Sequence, residues 1–131
     1  MSAKVSYLEG NEYQSARAFS PAVVTEGGKT IWLAGQTTTT DQKGADISGQ
    51  FDAQAKRCFE LIGETLARQD AALSNVVWMT VFIKDSRYGD AFVKLRSSIF
   101  KDGKFPASAL VTVSNFARPG MEIEIQAIAV V

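Results

Sequence analysis

The chain has 131 residues, 46% of them hydrophobic, and its 14 Lys and Arg are matched by 14 Asp and Glu. That length fits one domain over residues 1–131 with a real core, and zero formal charge removes the bulk attraction behind non-specific nucleic-acid binding. There is no His and a single Cys, which excludes Ser-His-Asp and Cys-His nucleophilic chemistry and the common zinc ligand sets.

The opening MSAKVSYLEGNEYQ has no apolar signal-peptide core. No later stretch approaches the ~20 apolar residues of a membrane span. A cytoplasmic chain with no membrane partner is expected. Strands are predicted over residues 4–8, 17–24 and 30–34, followed by a loop over 41–49. Phe51, Ala55, Cys58, Ile62 and Leu66 then recur at spacings of three and four, which predicts a helix over 51–68 with one buried stripe. Ser48 is its expected N-cap, and Asp70 is expected in the left-handed region just past its end. Cys58 lies on the stripe and reads as a buried, inert thiol in a reducing compartment.

A strand over 76–84 is apolar on both sides, with Val77, Met79, Val81 and Ile83 on one face and Val76, Trp78 and Phe82 on the other. A second helix over 87–100 carries the stripe Tyr88, Phe92, Leu95 and Ile99, with Asp85 or Ser86 as its cap. Asp102-Gly103 ends that segment, and Pro106 opens a strand over 107–114. The last strand, 122–130, puts Glu122, Glu124 and Gln126 on one face and Ile123, Ile125, Ala127 and Ala129 on the other. The chain therefore reads as α+β, six strands with two helices. Two helices cover one sheet face only. Trp32, Ala34 and Leu110 add to the apolar surface of the other. A second copy of the chain is the expected cover, giving a homo-oligomer with sites at its seams; a barrel closing on itself is the alternative.

Several motifs, in order, resemble the Rid family of reactive intermediate deaminases (YjgF-like proteins). They are IWLAGQTT at 31–38, AQAKR at 53–57, VVWMTVFIKD at 76–85, FPAS at 105–108 and EIEIQAIAV at 122–130. The resemblance implies a chorismate-mutase-like fold, a six-stranded mixed sheet with two helices on one face, assembled as a homotrimer. It implies clefts between subunits that hydrolyse enamines and imines to 2-oxo acids and ammonia, with no metal and no organic cofactor. The family pattern Pro-Ala-Arg, whose Arg grips the substrate carboxylate, stands here as Pro106-Ala107-Ser108, so this is a divergent branch at that position. Glu124 matches the carboxylate that positions water, and Gly35 and Gln36 match the step whose main-chain groups meet the ligand. Arg118, or else Arg96, is a candidate for the missing charge; Arg118 is favoured because its loop joins the strands carrying Ser108 and Glu124.

Two functions compete. One is a deaminase-type hydrolase acting on an enamine, imine or related unsaturated amine, with Glu124 catalytic and Ser108, Gly35, Gln36 and Arg118 holding the small organic or amino/keto acid. The other is a non-catalytic metabolite-binding or regulatory trimer, which a substrate clamp lacking its Arg favours. An RNA-cleaving role, attached to this family by older labels, is opposed by the zero net charge and the absence of His.

Overall fold

The computed structural model describes residues 2–131. Strand β1 (Lys4–Tyr7) leads to a short helix α1 (Glu12–Ala16), then β2 (Val23–Glu26) and β3 (Thr30–Trp32). Helix α2 (Phe51–Ala67), β4 (Val76–Ile83), α3 (Gly89–Ile99), β5 (Ala107–Thr112) and β6 (Ile123–Val130) complete the chain.

Six strands are present, but hydrogen bonding divides them. Four form a mixed sheet in the order β3-β6-β4-β5, and β1 and β2 form a separate antiparallel ribbon. The two are joined where Ser20 bridges Ala107, its Oγ donating to the Phe105 carbonyl at 2.6 Å. β4 and β5 run parallel, and parallel neighbours need a long crossover; α3 is that crossover. The strand expected over 17–24 shrinks to Val23–Glu26 because the chain turns at Ala18, whose φ is +60°.

The predicted stripe of α2 is buried throughout, from Phe51 to Leu66. Burying each large apolar side chain contributes about 1.5–3 kcal/mol, so this face alone ties the helix to the sheet. Asp70 has φ +54°, and Ala71 N–H returns to the Leu66 carbonyl at 3.0 Å, the expected left-handed stop. Ser48 is not the N-cap. Gln50 occupies that position without a side-chain bond, since Gly49, with φ +73°, turns the chain between Ser48 and the helix. α3 packs on α2 through stacked Phe59 and Phe92, ring centres 5.9 Å apart. Asp85 caps the 3-10 turn Ser86–Tyr88 ahead of α3.

The core lies between these helices and one sheet face: Met79, Val81, Ile83, Ile123, Ile125, Ala127 and Ala129 are all buried there. A register shift between Val76 and Trp78 sets Val76 opposite Ala129, so Val76 joins the core rather than the Trp78 face. Leu110 pairs with Val81 and also belongs to the helix side. The other face is open. Register places Trp32, Ile128, Trp78 and Ala107 in one row across it, and Glu124, Phe82 and Val111 in another. Trp32 is 76% exposed there and Val111 41%.

Buried Gln54 organises the approach to β6. Its Nε2 donates to the carbonyls of Ile47 and Gly120, and its Oε1 accepts from Glu122 N–H at 2.8 Å.

Candidate active site

Ser108 and Glu124 face opposite sides of the sheet. Ser108 pairs with Met79, and Glu124 with Phe82. Met79 and Phe82 are three positions apart along β4, an odd step, so their side chains point oppositely. Each sits in a cavity of its own.

On the open face, Glu124 and Phe82 border a cavity of about 290 Å³ beneath the loop carrying Asn115 and Phe116. Gly35 presses against the carboxylate. A Cβ on Gly35 would lie 2.5 Å from Glu124 Oε2 and 3.0 Å from its Cδ, so only glycine permits this approach. The Gly35 N–H has no protein acceptor among the described residues, and Gly35 itself is exposed. Gln36 differs, because its N–H and C=O exchange bonds with Ile125 at 2.8 and 2.9 Å. Its main chain fixes the Gly35 step to β6 and is not free for a ligand. The Cys58 thiol donates to the same Gln36 carbonyl at 3.4 Å. Burial, with Glu124 adding to it, pushes that thiol up to about 12, so it is an inert anchor, as its place on the α2 stripe predicts. A carboxylate packed against an exposed glycine whose N–H is unused is an arrangement able to hold water.

On the helix side, Ser108 lines a cavity of about 470 Å³ together with Arg96, Arg17, Val93, Ile83 and Leu110. That volume suits a small metabolite. Arg96 is buried, one turn beyond Phe92 on α3, with its guanidinium carbon 5.0 Å from the Phe92 ring centre. Its Nη1 donates to Ser108 Oγ at 2.7 Å and its Nη2 to the Arg17 carbonyl at 3.0 Å. Burial first, and the Arg17 charge second, bring Arg96 down to about 10, still cationic at neutral pH. Arg118, by contrast, is exposed on its loop and makes no contact with Ser108. The charge that meets Ser108 comes from α3.

Sequence reasoning ranked Arg96 second to Arg118 and passed over Arg17. Arg96 falls outside the apolar stripe, so polarity concealed its burial. Arg17 is delivered by α1, whose signal is the capping box Asn11–Gln14: each side chain accepts from the other's N–H at 2.8 Å.

The comparisons with known proteins agree with this architecture. Residues 9–131 match the family model described as endoribonuclease L-PSP. The chain is 36% identical over 113 residues to protein DfrA of Myxococcus xanthus, covering 86% of this chain and 84% of that one. It is 30% identical over 112 residues to the 2-iminobutanoate/2-iminopropanoate deaminase of Mus musculus, covering 86% and 80%. Among solved structures it superposes on the Rid protein YyfB of Yersinia pestis with a TM-score of 0.84 over the full length of both chains, at 24% identity. A family match over nearly the whole chain, on a fold shared with Rid structures, settles the kinship: this chain belongs to the Rid (YjgF-like) family.

Proposed function

We propose that the chain is a cofactor-independent deaminase that hydrolyses small imines or enamines, working as a homotrimer. The observation that carries the reading is the close approach of the Glu124 carboxylate to Gly35, whose own N–H has no protein acceptor among the described residues. Water held by Glu124 adds to the imine carbon, and the carboxylate takes one of its protons. The carbinolamine then collapses. One C–O bond forms, the C–N bond breaks, and both water hydrogens leave on nitrogen as ammonia. Imines are electrophilic enough for positioning to supply much of the rate. The named activity of the mouse relative supports this reaction class.

The row Trp32, Ile128 and Trp78 supports the trimer, because apolar surface of this kind in line across a sheet calls for a cover. A cytoplasmic setting suits a buried, reduced Cys58, and no helix among the described residues is long and apolar enough to cross a membrane. Ser108 in place of the family Arg favours a second reading, a trimer that binds a metabolite without turning it over. One experiment decides between them. Imines are generated in situ, and oxo-acid release is followed with wild-type protein and with Glu124→Gln. The deaminase reading expects acceleration by the wild type, falling about 100-fold or more in the variant. Ligand binding with no acceleration of any imine establishes the second reading instead.

A further inference from the structure

We propose that Gln54 is a positioning residue for the substrate: from inside α2 it sets the height of the loop that roofs the Glu124 cavity. The inference rests on the deaminase reading of that cavity. Asn115, Phe116 and Ala117 form the roof, above Phe82, Val113 and Glu124. Roof and floor are held differently. Glu124 lies inside the β4–β6 ladder, paired with Phe82 and flanked by the pairs Val81–Ile125 and Ile83–Ile123. That ladder fixes the carboxylate whatever the loop does. Among the described residues, no hydrogen bond ties 114–119 to the rest of the chain. The one bond within the span runs from Phe116 N–H to its neighbour's Asn115 Oδ1. Asn115 and Ala117 are exposed and Phe116 is half-buried, so packing fixes little of the span.

The two ends of the span therefore set its position. At the near end, Val113 N–H donates to the Ile83 carbonyl at 2.9 Å. At the far end the anchor is Gln54, which is fully buried. Its Nε2 donates to the Gly120 carbonyl at 2.8 Å and to the Ile47 carbonyl at 2.9 Å, and its Oε1 accepts from Glu122 N–H at 2.8 Å. Both amide donors are thus used, and a buried amide satisfied in this way holds one geometry. Gly49 N–H meets the same Gly120 carbonyl at 2.9 Å. Gly120 completes the joint: its φ is +88°, and a Cβ there would lie 2.9 Å from Ser48 Cβ and Oγ. Removing the Gln54 amide frees the far end of the roof and leaves the carboxylate in its ladder. Contacts that the roof makes equally with bound substrate and transition state are then lost, which raises KM and spares kcat.

Gln54→Met keeps the length and bulk of the side chain and removes all three bonds. Rates are measured well below its melt and normalised to folded protein. KM for an imine generated in situ should rise about 10-fold, with kcat held within about 2-fold. A purely structural role would lower the folded fraction and leave KM alone. Gly120→Ala presses on the same joint from the other side and should raise KM likewise. Adding Ser48→Gly, which takes away the opposing side chain, should recover part of that rise. Should Gln54→Met fail to fold, Gly120→Ala with and without Ser48→Gly decides. A second readout needs no turnover: backbone order parameters of 114–119 should fall in either variant while those of β4 and β6 stay level. Unchanged KM in the variants, or unchanged order in 114–119, overturns this proposal alone. Loop order lost in variants of a protein whose wild type hydrolyses no imine overturns the deaminase reading and leaves the hold of Gln54 on the roof standing.

Discussion

Replacing Gly35 by Ala separates catalysis from stability. The new methyl carbon would lie 2.5 Å from Glu124 Oε2, 3.0 Å from Cδ and 3.3 Å from Cγ. Non-bonded heavy atoms settle at about 3.5–4.0 Å, so the carboxylate must swing away by about 1 Å. The group that yields is the far end of a flexible side chain, and a displaced rotamer costs about 0.5–1.5 kcal/mol. Gly35 is not among the positive-φ glycines, so Ala adopts its backbone and recovers about 0.4–1 kcal/mol through the unfolded chain. Net stability should then change by less than about 1 kcal/mol, moving Tm by only a few degrees. Catalysis should respond much more, because a misplacement of about 1 Å costs on the order of 100-fold in rate, or about 2.7 kcal/mol of barrier. The assay is kcat/KM for imine hydrolysis beside a thermal melt of the same preparation. Unchanged kcat/KM with an unchanged melt refutes the argument, since the carboxylate would then not need its place against residue 35. A large fall in Tm refutes it differently, by showing that backbone rather than the Glu124 side chain absorbs the clash.

Gln54→Leu should lower stability by about 2–4 kcal/mol in urea unfolding, because Glu122 N–H loses its acceptor and two carbonyls lose a donor; an unchanged midpoint would show water serving equally well. Asp85 is held down to about 2 by its bonds from Arg87, below its ordinary 3.8, so its contribution is present above pH 4 and lost as pH falls through 2. Asp85→Asn should therefore be less stable than wild type at pH 7, with the gap closing between about pH 4 and 2 in denaturation curves; a gap independent of pH removes the charge from the explanation. Trp78→Glu, placed in the middle of the open face, should convert the assembly to the 14.2 kDa chain in light scattering; an unaltered mass would assign the interface elsewhere.

The parts legible from sequence are those set by local periodicity. The α2 stripe, the inward residues of β6 and the left-handed Asp70 each follow from residue type and spacing alone. What escaped depends on neighbours distant in the chain. α1 is five residues with none buried, so no apolar pattern marks it, only its capping pair. Val76 reverses its side because β4 is irregular where it pairs with Ala129, which alternation along one strand cannot reveal. Arg96 is polar by composition yet buried by position, since edge strand β5 brings Ser108 up beneath α3. The preference for Arg118 followed connectivity, and connectivity says which strands a loop joins, not where its side chains end.

Strand β5 also has a consequence for how this protein can change length. Ala107, Ala109 and Val111 look toward the open face, while Ser108, Leu110 and Thr112 look toward the helices. Alternation has a period of two, so losing Ala107, or gaining one residue after Pro106, exchanges both sets at once. Ser108 would be sent to the open face and Ala107 or Ala109 brought beneath Arg96, so the open face and the helix-side cavity would both be rebuilt. A substitution can alter either face separately, because no β5 side chain points to both. An indel here changes both faces where a point change alters one, which makes the spacing from Pro106 to Ser108 a stricter constraint than the identity of residue 108 itself.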